Sequence, residues 1–114
     1  MSDTKFLTWS EFEAVELRSG TIVDAKPFPE AHKPAYRLWI DFGDFGIKKS
    51  SAQITDHYTP EELIGKQVIA VVNFPPKQIG PFMSECLVIG LVQADGSVIL
   101  AVPDKKTDNG LRLA

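Results

Sequence analysis

Seven consecutive residues, Tyr36 to Phe42, alternate so strictly that they leave the chain little choice of fold. Tyr36, Leu38, Ile40 and Phe42 share one face of an extended segment, and Arg37, Trp39 and Asp41 share the other. A period of two is the mark of a strand with one buried face. From Leu17 onward the rest of the chain follows suit, and no stretch carries the long 3.6-residue periodicity of a helical fold. Residues 20–25 read as a strand that ends at Pro27 and Pro29, where the ladder donors stop. A turn at 43–46 leads into a strand over 47–54. Residues 67–73 form an almost wholly apolar strand, and strands over 86–92 and 98–102 flank a turn at 94–97.

Two short helices complete the reading. Thr8 and Glu11 have the spacing of a capping box over 8–14, which puts Trp9 and Phe12 on one side. Pro60 at a first helical position, Glu61 and Glu62 in the first turn and Gly65 as a stop mark one or two turns over 55–65. Residues 74–82 read as a loop rich in Pro and Gly, 103–109 as a polar loop, and 111–113 as a short edge strand. A doubly wound α/β fold would need a helix after each strand. The pattern instead predicts an all-β chain: a five-stranded OB-fold Greek-key barrel with a short N-terminal helix and a short helix between strands 3 and 4. In such barrels strands two and three form the usual ligand face. With 114 residues the chain is one domain, 1–114, large enough to bury a core without a staple.

Catalysis finds no support. His32 and His57 lack metal-ligand spacing, so neither a metal nor a cofactor is expected, and no phosphate-binding glycine loop or nucleophile elbow occurs. Cys86 is the one cysteine and opens an apolar strand, where a thiol acts as a small hydrophobe. Glu61 and Glu62 suit a helix start better than acid/base work. The chain therefore reads as a binding protein, not an enzyme. No apolar stretch approaches the ~18 residues of a membrane span, and residues 1–5 are polar, so a cytoplasmic protein without membrane insertion is expected.

A net charge of −3 excludes a strongly basic nucleic-acid wrapper and leaves room only for a local patch. Residues 26–49 supply it, with Lys26, Lys33, Arg37, Lys48 and Lys49 against Glu30, Asp41 and Asp44. If the four-membered apolar row of 36–42 lines the barrel, Trp39 faces outward beside Arg37. That pairing suits stacking on unpaired bases, holding apolar peptide side chains or filling a dimer interface. Cover by the N-terminal helix is the plain alternative. Lys48 and Lys49 fall on opposite faces, so one of them joins the ligand face, with Ser51 and Gln53 beyond; edge protection is the other use of such lysines. Phe28, Phe74, Ile79 and Phe82 join Trp39 as apolar groups in segments expected to be exposed, and these five are candidates for binding peptide.

Residues 66–90, KQVIAVVNFPPKQIGPFMSECLVIG, resemble the tRNA-binding-domain family, found as small free dimers and at the C-terminus of methionyl-tRNA synthetases. An apolar strand ends in Asn73, followed by Pro76 and Lys77, then Gly80, then Ser84. LRSGTIV at 17–23, FPEA at 28–31, IDFG at 40–43 and YTPEELIGK at 58–66 agree. IKKSSAQI at 47–54 and VVNFPPK at 71–77 look most like the CsaA-type export-related chaperones of that family. The resemblance implies an OB-fold homodimer joined through its terminal segments in the bacterial cytoplasm. Its implied partners are tRNA, bound at the barrel, and unfolded or preprotein polypeptides, with a primarily tRNA-binding factor as the alternative. By position, Lys48, Ser51, Asn73, Lys77 and Ser84 become tRNA-binding candidates beside Arg37. Synthetase-appended relatives tend to carry glycine where this chain has Ala52 and Cys86, which would alter a close backbone approach to RNA.

Overall fold

A computed structural model describes residues 5–114. Helix α1 (Trp9–Ala14) begins with the expected capping box: the Thr8 hydroxyl accepts the Glu11 amide at 3.1 Å, and the Glu11 carboxylate accepts the Thr8 amide at 2.9 Å. No residue of α1 is buried. Strand β1 (Leu17–Pro27) follows, then β2 (Tyr36–Asp41), a 3-10 turn (Gly43–Phe45) and β3 (Ile47–Ala52). Helix α2 (Pro60–Leu63) leads to β4 (Gln67–Val71), β5 (Lys77–Ile79), β6 (Phe82–Ser84), β7 (Leu87–Val88), β8 (Gly90–Val92) and β9 (Val98–Leu100). No helix among the described residues is long and apolar enough to cross a membrane.

The main sheet is antiparallel throughout, in the order β3-β2-β1-β4-β7. Strand β1 serves two neighbours. Its first half, Leu17 to Thr21, pairs with β4, and its second half, Thr21 to Pro27, pairs with β2. A register shift between Ile22 and Asp24 marks a bulge, which adds the local bend a sheet needs to curl. The two end strands then come together. The Glu85 amide donates to Lys49 O at 2.7 Å, and the Ser50 hydroxyl donates to Cys86 O at 2.9 Å. The result is the nearly closed five-stranded barrel expected of the OB type. Its interior is filled by Ile22, Leu38, Ile40, Phe42, Leu63 and Val68, all fully buried. The alternating row of 36–42 thus faces inward as its period requires.

Three local features differ from the expectation. Residues 74–82 are not all loop, because β5 and β6 pair as a hairpin across Gly80, whose φ of +54° suits a residue without a Cβ. The strand expected over 86–92 breaks at Ile89: β7 pairs with β4, whereas β8 pairs with β9. Ile89 itself joins the two sheets, donating to Ile69 O at 2.9 Å and accepting from Ala101 N at 3.1 Å. Residues 111–113 make an isolated bridge, Arg18 to Arg112, within a longer strap along β1. There the Ser19 amide donates to Leu111 O at 3.0 Å, and the Leu113 amide donates to Leu17 O at 2.9 Å.

Candidate functional site

The β2–β3 register pairs Trp39 with Lys49 and Arg37 with Ser51, and β1 adds Lys26 opposite Arg37. These side chains share the outer face of the barrel. Lys48 pairs with Ile40, so it starts from the inward-facing side of β3. Lys49, not Lys48, stands beside Trp39. The parity follows from the turn before β3, where the Phe42 amide donates to Gly46 O at 2.9 Å and so sets every later pair.

Two expected exposures are corrected. Phe28 is only 3% exposed and Phe82 only 7%, and with Ala35 they form a second small core. The β5–β6 hairpin lays Phe82 against the outer face of β2. Phe28 and Phe82 meet edge to face with ring centroids 5.3 Å apart, and Trp39 meets Phe82 at 5.9 Å. Trp39 is therefore half-covered, by the hairpin and not by α1. Three cations stand over this cluster: Lys26 5.6 Å from the Trp39 ring, Arg37 5.8 Å from Phe28 and Lys49 5.3 Å from Phe82. Cations within about 6 Å of an aromatic face are attracted to it. The rings thus hold the three charges together on one face.

Beside this face lies a groove of about 350 Å3 between β3, the β4–β5 connection and β7. It gathers five predicted site residues: Ser51, Lys77 and Ser84 from the polar set, and Phe74 and Ile79 from the apolar set. Phe74 is 53% exposed, and Ile79 half-buried. Gln53, Glu85, Cys86 and Leu87 also line it. The Ser84 hydroxyl accepts the Ser51 amide at 3.1 Å, and the Glu85 carboxylate accepts the Lys49 amide at 2.9 Å. Glu85 and Leu87 carried no sequence signal, since their place depends on how the chain crosses β3.

Asn73 lies elsewhere. Its amide oxygen accepts the Glu16 amide at 3.0 Å and its amide nitrogen donates to Ala14 O at 2.8 Å, tying the α1–β1 joint to the end of β4. The Arg37 guanidinium donates to Pro27 O at 3.1 Å. Ala52 and Cys86, where glycine is expected in synthetase-appended relatives, are both buried, and Cys86 also lines the groove. Burial pushes the Cys86 thiol up to about 12.

A second surface lies at the joined ends of the chain. Trp9 is 81% exposed, with Phe6 and Leu7 exposed beside it and Phe12 half-covered. The strap meets α1 here, where the Arg112 guanidinium donates to Glu13 O. Leu7, Trp9, Phe12, Leu113 and Ala114 line two adjoining hollows.

Residues 17–112, the barrel and its strap, match the family described as "Putative tRNA binding domain". The chain belongs to that family. Among solved relatives of the tRNA-binding domain, the chaperone CsaA of Bacillus anthracis str. Ames is 48% identical. It superposes with a TM-score of 0.91 over 96% of this chain and 100% of that one. The CsaA chaperone protein of Picrophilus torridus is 50% identical, with a TM-score of 0.89 over 96% and 100%. The methionine–tRNA ligase of Leptospira biflexa serovar Patoc is 37% identical over 110 residues. That alignment takes in 96% of this chain but only 16% of the ligase, so the chain spans a small part of such an enzyme.

Proposed function

We propose that this protein is a non-enzymatic, CsaA-like, export-related chaperone of the bacterial cytoplasm, which holds unfolded or preprotein segments as a homodimer and also binds tRNA on its barrel. The groove carries the reading: Phe74, Ile79 and Leu87 offer apolar wall while Ser51, Lys77 and Ser84 supply polar points. A mostly apolar cleft with a few directional groups is the common form of a binding site. The likeness to two CsaA chaperones over nearly the whole chain supports it. Dimerisation is supported by the apolar surface around Trp9, since contiguous apolar patches of this kind mark association sites. The test is light scattering of a denatured client: wild type suppresses aggregation, whereas Phe74→Glu with Ile79→Glu loses most of that effect. No suppression by equimolar wild-type dimer would reject the chaperone role.

The cation face favours a second reading, in which tRNA is the main ligand. Lys26, Arg37 and Lys49 are fixed over rings on one face, with Lys77 at the neighbouring groove. Such an array suits phosphates presented by shape, and two copies on a dimer would add avidity. Affinity for tRNA should fall with salt, and Lys49→Ala should reduce the log–log slope by about one. A salt-independent affinity would reject this reading.

A further inference from the structure

We propose that the free end of the β3 edge takes a client polypeptide as an added strand, through main-chain hydrogen bonds at Ser51 and Gln53. The inference rests on the peptide-holding reading above and says how that groove holds its ligand. In an antiparallel pair, alternate residues turn their N–H and C=O toward one neighbour and then the other. Lys49 and Ser51 direct their amides away from β2, because those amides donate to Glu85 and Ser84 instead. By the same alternation the carbonyl of Ser51 faces that side, and a ladder carried one residue past β3 would use the amide of Gln53 next.

The chain itself begins this ladder. The Glu85 amide donates to Lys49 O at 2.7 Å, its carboxylate accepts the Lys49 amide at 2.9 Å, and the Ser84 hydroxyl accepts the Ser51 amide. There the cover stops. The Gln53 amide, one residue beyond β3, makes no hydrogen bond among the described residues, and Gln53 is exposed. Ser51 and Gln53 both line the groove, facing Phe74, Ile79 and Leu87. An extended segment continuing the ladder past Ser84 would satisfy the edge with its backbone and press alternate side chains on that wall. This is strand addition, in which backbone pairing gives affinity and alternate pockets give mild selectivity. It suits a holder of many sequences, since every polypeptide carries the same backbone donors and acceptors. RNA is the less fitting occupant, because Lys26, Arg37 and Lys49 lie on the outer face and only Lys77 among the lysines lines the groove.

The test is fluorescence anisotropy with a labelled nonapeptide of alternating leucine and serine, together with nine versions each N-methylated at one residue. A methyl group removes a single backbone donor and leaves the side chain unchanged. Binding should weaken about tenfold at one residue, or at residues two apart, and stay unchanged at the positions between. Equal tolerance or equal loss at every position would overturn strand addition while leaving peptide holding intact. Failure of the parent peptide to bind would remove both readings. Displacement of the peptide by an unstructured oligonucleotide, without any N-methyl pattern, would also overturn the proposal and assign the groove to RNA. A second variant, Gln53→Pro, removes the free edge amide just beyond β3. It should keep the wild-type melting temperature and bind the parent peptide about tenfold more weakly; unchanged binding by the folded variant would overturn the proposal.

Discussion

At Gly20 a single methyl group would have nowhere to go. A Cβ there would stand 2.7 Å from the Ile40 side chain and 2.8 Å from the Phe42 ring, where the first half of β1 crosses the core. Gly20→Ala should therefore destabilise the barrel by about 1–3 kcal/mol through overpacking, seen as a lower urea midpoint at unchanged m-value. Cys86 makes a different forecast. Its thiol is raised to about 12, chiefly by burial, so the thiolate is scarce at pH 8. A disulfide reagent should label it only as fast as the protein opens, and labelling should accelerate with urea. Its role as a core residue was legible from the apolar run it opens. Phe28 and Phe82 were not legible, because nothing in their own neighbourhood announces burial. They are covered by residues distant in sequence, and only the folded hairpin brings those together. The same holds for Asn73: a polar residue closing a strand looks free to bind, and its use as a tie between Ala14 and Glu16 appears only in three dimensions.

Elements differ in how plainly they announce themselves, and length is the main reason. Strand β2 is long enough for its alternation to be unambiguous, and the sequence marks both helix starts, α1 by its capping box and α2 by Pro60 with Glu61 and Glu62. The second capping box, Thr59 with Glu62, appears only in the structure. Strands β5 and β6, three residues each, fall among Pro75, Pro76, Gly80 and Pro81, which read as loop punctuation. The break at Ile89 is equally hidden, since one apolar run serves two sheets. For α1 the cap brings a pH dependence. The Thr8 amide, and then its hydroxyl, hold the Glu11 carboxyl below the usual carboxylate range. A group with a lowered folded pKa adds stability above its unfolded pKa and loses it as pH falls through the folded one. Helix α1 should thus fray in acid, with the protection of the Phe12 amide, measured relative to its intrinsic exchange rate at each pH, falling. Thr8→Ala should already exchange quickly at neutral pH and respond much less to acid.

For the molecule as a whole, the exposed apolar end is the feature with the largest consequence for assembly. Because no residue of α1 is buried, Trp9→Glu leaves the barrel core untouched. It should convert the proposed dimer to a monomer in sedimentation at micromolar concentration while far-ultraviolet dichroism stays that of the wild type. A monomeric wild type would contradict the association surface. The strap beside that surface has a further effect during synthesis. Ser19 donates to Leu111 O, accepts from the Gly110 amide at 2.7 Å and sends its hydroxyl to Asp108 O at 2.7 Å. The start of β1 therefore waits for residues 108–113, about ninety positions later in the chain, before its open side is paired. Until those residues are made, a nascent copy carries a bare strand of its own, the kind of segment that the strand addition proposed above would shelter.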